Sequence, residues 1–175
     1  PLGRQEMALR AIAEAGVDLL LAETGSLIDI DGDVTVSADE LGQSQGDTAS
    51  GSDASGFGNA RIGATGGTRD IGGSVTVSAS GTGGDALGTG NGGNGLGGAA
   101  SLTAHSGGII NIGGDAEVYA DANGGNGTSN SGGDAKAGVA EIVTNSTDSL
   151  INIGGDAYVS AFAVGGDGLD GGTAT

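Results

Sequence analysis

Short runs in which every second residue is apolar recur along this chain at one fixed interval. The string GDVTVSA at Gly32 returns as GSVTVSA at Gly73, GDAEVYA at Gly114 and GDAYVSA at Gly155, and the differences 73−32, 114−73 and 155−114 are each 41. In that register Ile30, Ile71, Ile112 and Ile153 form one column, Val36, Val77, Val118 and Val159 a second, and Ala38, Ala79, Ala120 and Ala161 a third. Polar or mixed columns run between them: Asp29, Asp70, Asn111 and Asn152, then Thr35, Thr76, Glu117 and Tyr158. A period of two marks strands that bury one face. Each repeat is predicted to hold a first strand such as Leu150 to Ile153, a glycine corner such as Gly154-Gly155, and a second strand such as Ala157 to Ala161. A third apolar segment precedes each first strand, at Ala60 to Ala64, Ser101 to Ala104 and Val139 to Thr144.

One such repeat cannot shield its own apolar face, so it must stack on the next at about 4.8 Å, like column over like. The pattern predicts an all-β chain, a right-handed parallel β-solenoid over residues 17–175, with repeats at 26–66, 67–107, 108–148 and a partial one at 149–175. Asp18 and Glu141 differ by 123, three times 41, which sets Leu19 over Ile142 and starts the solenoid near Val17. Glycine is expected to supply the positive φ and the close approach that corners demand. The Gly-rich stretches, such as Gly81 to Gly98, hold almost nothing large to bury. They are predicted to form projecting or flattened loops on one edge, absorbing the drift of Ile62, Leu102 and Ile142 against the register.

Residues 4–16 break the pattern, with RQEMALRAIAEA over 4–15 free of Gly and rich in helix formers. A short helix capping the first coil is expected there; residues 1–3 read as a cloning scar. At the other end the fourth repeat stops in mid-register, leaving the tops of Ile153, Val159 and Ala161 open, so the chain is expected to associate end to end.

Composition narrows the core and the partners. With 41 Gly, two Phe, two Tyr, no Trp and no Cys, the interior must be thin and built from Ile, Val, Leu and Ala, without disulfides or thiolate metal sites. Five Lys and Arg against 22 Asp and Glu leave a charge of −17, which repels nucleic acid and anionic membranes. No apolar run is long enough to insert in a bilayer as a helix.

Strings such as SLINIGGDAYVSA, with GGNG and GGDA spacers, resemble the glycine-rich repeats of large bacterial surface adhesins of the filamentous-haemagglutinin and autotransporter type. The resemblance spans residues 17–175. It implies export, display at the cell surface and a stalk or adhesive role without catalysis, the partners being neighbouring repeats, other copies of the chain, and surface glycans or host and bacterial cell surfaces.

Candidate chemistry is sparse. Gly165 to Asp170 matches the G-G-x-G-x-D start of a calcium-binding nonapeptide, making Asp167 and Asp170 calcium candidates against the reading of a solvated turn. Asp33, Asp115 and Asp156 share a column that either carries a metal ladder or caps the glycine corner through backbone amides. The column from Asp29 to Asn152 reads as an amide ladder or a substrate-binding face. His105 lacks metal or catalytic companions and reads as an exposed turn residue. Asn126-Gly127-Thr128 and Asn145-Ser146-Thr147 fit the glycosylation sequon. The competing function is a β-helix polysaccharide-active enzyme, for which Arg61, Arg69 and Lys136 would have to share a face; a calcium-dependent adhesin repeat is another. Ice binding would need a threonine array, which stops after Thr35 and Thr76.

Overall fold

The computed structural model describes residues 10–12, 17–22, 24–46, 48–55 and 58–175, and every regular element among them is a β-strand. The strands form five sheets, named here in the order one repeat visits them. Sheet 1 holds Leu27–Ile30, Thr68–Ile71, Ile109–Ile112 and Leu150–Ile153; sheet 2 holds Val34–Ser37, Val75–Ser78, Ala116–Tyr119 and Ala157–Ser160. Sheets 3 and 4 are ladders of two-residue strands, beginning at Glu40–Leu41 and Ala54–Ser55. Sheet 5 stacks Val17–Ala22, Asn59–Thr65, Ala99–His105 and Val139–Thr144. All pairings are parallel, and in sheets 1 and 2 each residue of one repeat faces its counterpart 41 positions on, as in Ile30 with Ile71 and Val36 with Val77. The arrangement is consistent with a parallel β-helix.

Alternation places the core where the columns predict. Ile71 and Ile112 are buried, as are Val36, Val77 and Val118, while Ile30 and Ile153 in the outer repeats are half-buried against them. Sheet 5 supplies Ile62 and Leu102, both fully buried. Its register differs from the expected one: Leu20, not Leu19, stands in the column with Ile62, Leu102 and Ile142. Those intervals are 42, 40 and 40 (62−20, 102−62, 142−102). A one-residue slip exchanges a strand's two faces, so the pairing is set by which residues must enter the core and not by the repeat length. The turns around sheet 5 take up the difference.

The expected helix over residues 4–16 is not found: Arg10–Ile12 is a strand, parallel to sheet 2, with Arg10 opposite Thr35 and Ile12 opposite Ser37. The rest of that segment lies outside the described residues. Helix propensity is a weak bias and a helix of a dozen residues is marginal in water, whereas the open edge of Val34–Ser37 offers a row of unpaired amides and carbonyls.

Glycine has two separate uses. Positive φ occurs at Gly25, Gly66 and Gly107, one column at the turn from sheet 5 into sheet 1. The corners between sheets 1 and 2 use close approach instead, a Cβ on Gly113 falling 2.4 Å from the carbonyl oxygen of Gly72.

The Gly-rich segments fold into a flattened arm apart from the aliphatic cluster, each an outgoing and a returning leg laid together. Successive amides donate in different directions: Gly83 to Asn123 O in the next repeat, and Gly84 to Ser52 O across the arm. Gly93 donates to Gly84 O, Gly125 to Gly93 O and Gly133 to Gly125 O, each at 2.8 Å. Much of the arm's interior is therefore backbone, with the small side chains of Ala54, Ala86, Ala122 and Ala135 buried beside it, and a Cβ on Gly83 would stand 2.0 Å from Gly93 O. Gly83→Ala is expected to lower stability by at least about 2 kcal/mol, the range of an overpacked core. Gly46→Ala, where a Cβ meets nothing within 4 Å, should be neutral or slightly stabilising. Equal denaturation midpoints for the two variants would contradict this account of the arm.

Candidate functional site

Polar side chains occupy fixed columns, and those columns hold the repeats together. In the column containing the calcium candidates, Asp33 Oδ1 accepts the amide of Ser74 at 2.7 Å, Ser74 Oγ accepts that of Asp115 at 3.1 Å, and Asp115 Oδ1 accepts that of Asp156 at 2.8 Å. The side chain of one repeat thus takes the place of a backbone acceptor for the next. A Cβ on Gly155 would lie 2.0 Å from Asp115 Oδ1, so a side chain there would push the acceptor aside. This joins the two halves of the recurring Gly-Asp pair.

Further columns repeat the device. Asp39 Oδ1 accepts the Ser80 amide, and Asp121 Oδ1 accepts that of Phe162. On the arm, Asp85 Oδ1 accepts the Asn126 amide at 2.7 Å and Asn126 Oδ1 accepts that of Asp167 at 2.9 Å. On the returning leg Asp134 takes both the amide and the hydroxyl of Thr173, at 2.8 and 2.9 Å, which holds its carboxyl below the usual range. That grip is present at neutral pH and is lost as acidification protonates the carboxylate.

Asp33, Asp115 and Asp156 lie at the corner of sheets 1 and 2, while Asp167 and Asp170 lie on the arm. Among the described residues no three His, Cys, Asp or Glu are grouped to hold a metal. Two shallow polar grooves flank the arm. One of about 880 Å³ is lined by Thr82, Asp85, Asn123 and Asn126, and one of about 450 Å³ by Asp53, Asn94, Asp134 and Asp170.

On sheet 1 the amide ladder is present but incomplete. Asn152 Nδ2 donates to Asn111 Oδ1 at 2.7 Å and Asn111 Nδ2 to Asp70 Oδ1 at 2.6 Å, yet Asp70 has no proton to pass to its cross-strand partner Asp29.

Arg61, Arg69 and Lys136 do not share one face. Arg61 lies on the outer face of sheet 5, where Nε donates to Thr103 Oγ1 at 2.9 Å and Nη2 to His105 Nε2 at 3.0 Å. A guanidinium only donates, so His105 accepts through Nε2; it is half-buried at the strand end and not the exposed turn residue expected. Arg69 is turned the other way. It occupies the column between Ile28 and Ile110 with no exposed surface, one hydrogen bond from Nη2 to Gly63 O at 2.9 Å, and Nε and Nη1 without partners. Burial lowers its pKa to about 10, so it remains charged at neutral pH. Lys136 belongs to sheet 4 on the arm.

Another grouping escaped the sequence reading. Tyr119 and Tyr158, the chain's two tyrosines, meet on the outer face of sheet 2 with ring centroids 5.5 Å apart. Their separation of 39 is the repeat less two, the spacing of a diagonal pair on one face, and that was the available signal.

No family model, no curated protein and no solved structure matches this chain. Its function rests on its own geometry.

Two outcomes follow. Arg69→Met and Arg69→Ile should each raise stability by roughly 1 to 4 kcal/mol in urea unfolding, because an unpaired buried charge gives way to an aliphatic column; a loss in both would mean that the guanidinium holds the core. Asp70→Asn should add about 0.5 to 1.5 kcal/mol by completing the ladder and removing a like-charge pair. An unchanged or lower midpoint would contradict that ladder.

Proposed function

We propose that this chain is a structural and adhesive repeat module of an exported bacterial surface or fibre-forming protein, wound as a right-handed parallel β-solenoid. The observation that carries the reading is the use of the polar columns. From Asp33 to Asp156, and from Asp85 to Asp167, carboxylates, amides and hydroxyls are committed to fastening one repeat to the next. A chain that uses its polar chemistry in this way gains length and stiffness. The handedness follows the general preference of parallel crossovers. The distance between the roles of Arg61, Arg69 and Lys136 weighs against a polysaccharide-active enzyme, which needs them in one groove.

The open face of the fourth repeat exposes Leu150, Val159 and Val164. It is complementary to another repeat of the same register, whether the next one of a longer chain or one of a second copy, and for the 175-residue chain alone we assign to it end-to-end association with a second copy. The charge of −17 opposes that contact, so assembly should increase with ionic strength. Size measurement by sedimentation between low and high salt is expected to give larger species at high salt, reduced by Val159→Lys. A monomer at every salt concentration would overturn the assembly. For adhesion, beads coated with the chain should be retained on bacterial or epithelial cell layers above uncoated beads, with and without EDTA. Equal retention would overturn the adhesive role, and loss in EDTA alone would favour the calcium-dependent form of it.

A further inference from the structure

The outer face of sheet 2 changes character along the stack. In the first two repeats it carries Thr35 and Ser37, then Thr76 and Ser78; in the last two it carries Glu117 and Tyr119, then Tyr158 and Ser160. Tyr158 is 55% exposed, and Phe162, 64% exposed, follows at the next corner. The Tyr119 and Tyr158 rings are inclined at 46°, forming a shallow aromatic angle. Burial, together with the nearby Glu117 carboxylate, raises the pKa of the Tyr119 hydroxyl. Asp121 lies beside the patch, accepting the hydroxyl of Ser160 at 2.6 Å.

Nothing in the repeat requires this. Thr, Ser and Glu all serve at these outward positions, and beneath them the column Val36, Val77, Val118 and Val159 is constant while Val34 and Val75 give way to Ala116 and Ala157. An aromatic surface with fixed ring positions and carboxylates at its rim presents two complementary features. The rings offer an apolar face to the C–H face of a pyranose, and the carboxylates accept its hydroxyls. The charge of −17 opposes uronic and sialic acids and so favours neutral sugars.

We propose that Tyr119, Tyr158 and Glu117 on the outer face of sheet 2 form a binding site for neutral glycans, with the rings stacking on the sugar and the carboxylate accepting its hydroxyls. The inference deepens the adhesive reading and rests on it. The chain has no Trp, and both its tyrosines stand in this patch, so intrinsic tyrosine emission reports on the site directly.

The whole 175-residue chain is titrated with galactomannan, mixed-linkage β-glucan and, as acidic probes, alginate and polygalacturonate, following tyrosine emission and retardation in polysaccharide-containing native gels. A neutral polymer is expected to change the emission and retard the chain. Tyr158→Ala should weaken retardation by at least about fivefold, Tyr158→Trp should restore it, and Glu117→Gln should weaken it while leaving the aromatic pair in place. Far-UV circular dichroism and thermal melts identify any variant that fails to fold, in which case the Tyr158→Trp and Glu117→Gln arms decide. No response to either neutral polymer, preference for an acidic one, or binding indifferent to Tyr158→Ala in a folded protein would each overturn the site. Bead adhesion that survives Tyr158→Ala would remove this site and leave the adhesive role standing. Glycan retardation without bead adhesion would do the reverse.

Discussion

Hydrogen bonding from each repeat to the next, at an interval near 41 residues, is the constraint on which everything else in this chain depends. Ordinary parallel ladders supply it along the strands. At the corners and along the arm, where a preceding carbonyl is not always placed to receive an amide, Asp, Asn and Ser side chains supply the acceptor. Since each side chain serves the repeat that follows, the columns must stay in register, and a change at one position is felt one repeat away.

The same constraint explains the composition. A thin aliphatic interior of Ile, Val, Leu and Ala fills the space between sheets 1, 2 and 5, whereas the side chains buried on the described part of the arm are small, those of Ala54, Ala86, Ala122 and Ala135. Its legs approach until backbone meets backbone at positions such as Gly83, Gly93 and Gly133, where a Cβ would not fit, and amides bond both along the stack and across it. The abundance of glycine is therefore a packing requirement for much of its length. Side-chain entropy lost there is nil, although fixing glycine backbone is costly, and the density of amide bonds has to offset it.

Function then falls to the outward positions. Inward residues are fixed by the core and corner residues by the ladders, whereas outward residues of sheet 2 vary from hydroxyl to carboxylate to aromatic ring without disturbing the stack. Arg69 is the exception within, a charge standing in an isoleucine column. It marks the second repeat as different from its neighbours for a reason that nothing else in the structure explains.

The sequence by itself determined the strands of sheets 1, 2 and 5, their parallel stacking and the inward columns, because alternation and a near-constant interval follow directly from which face is buried; the two-residue strands of sheets 3 and 4, in segments read as loops, carry no such alternation. It also exposed the Asp and Asn columns that proved to be ladders, though not whether they bound a metal or an amide. Only the tertiary structure decided the rest. Residues 10–12 became a strand since an open sheet edge outweighed helix propensity. Leu20 replaced Leu19 because sheet 5 pairs at intervals of 42, 40 and 40 and not at 41. Arg69 was placed inside and Arg61 outside by strand parity relative to the core, which a search for shared basic residues ignores. The tyrosines met because a separation of 39 in a repeat of 41 is a diagonal contact, a relation that exists only once the repeats are stacked.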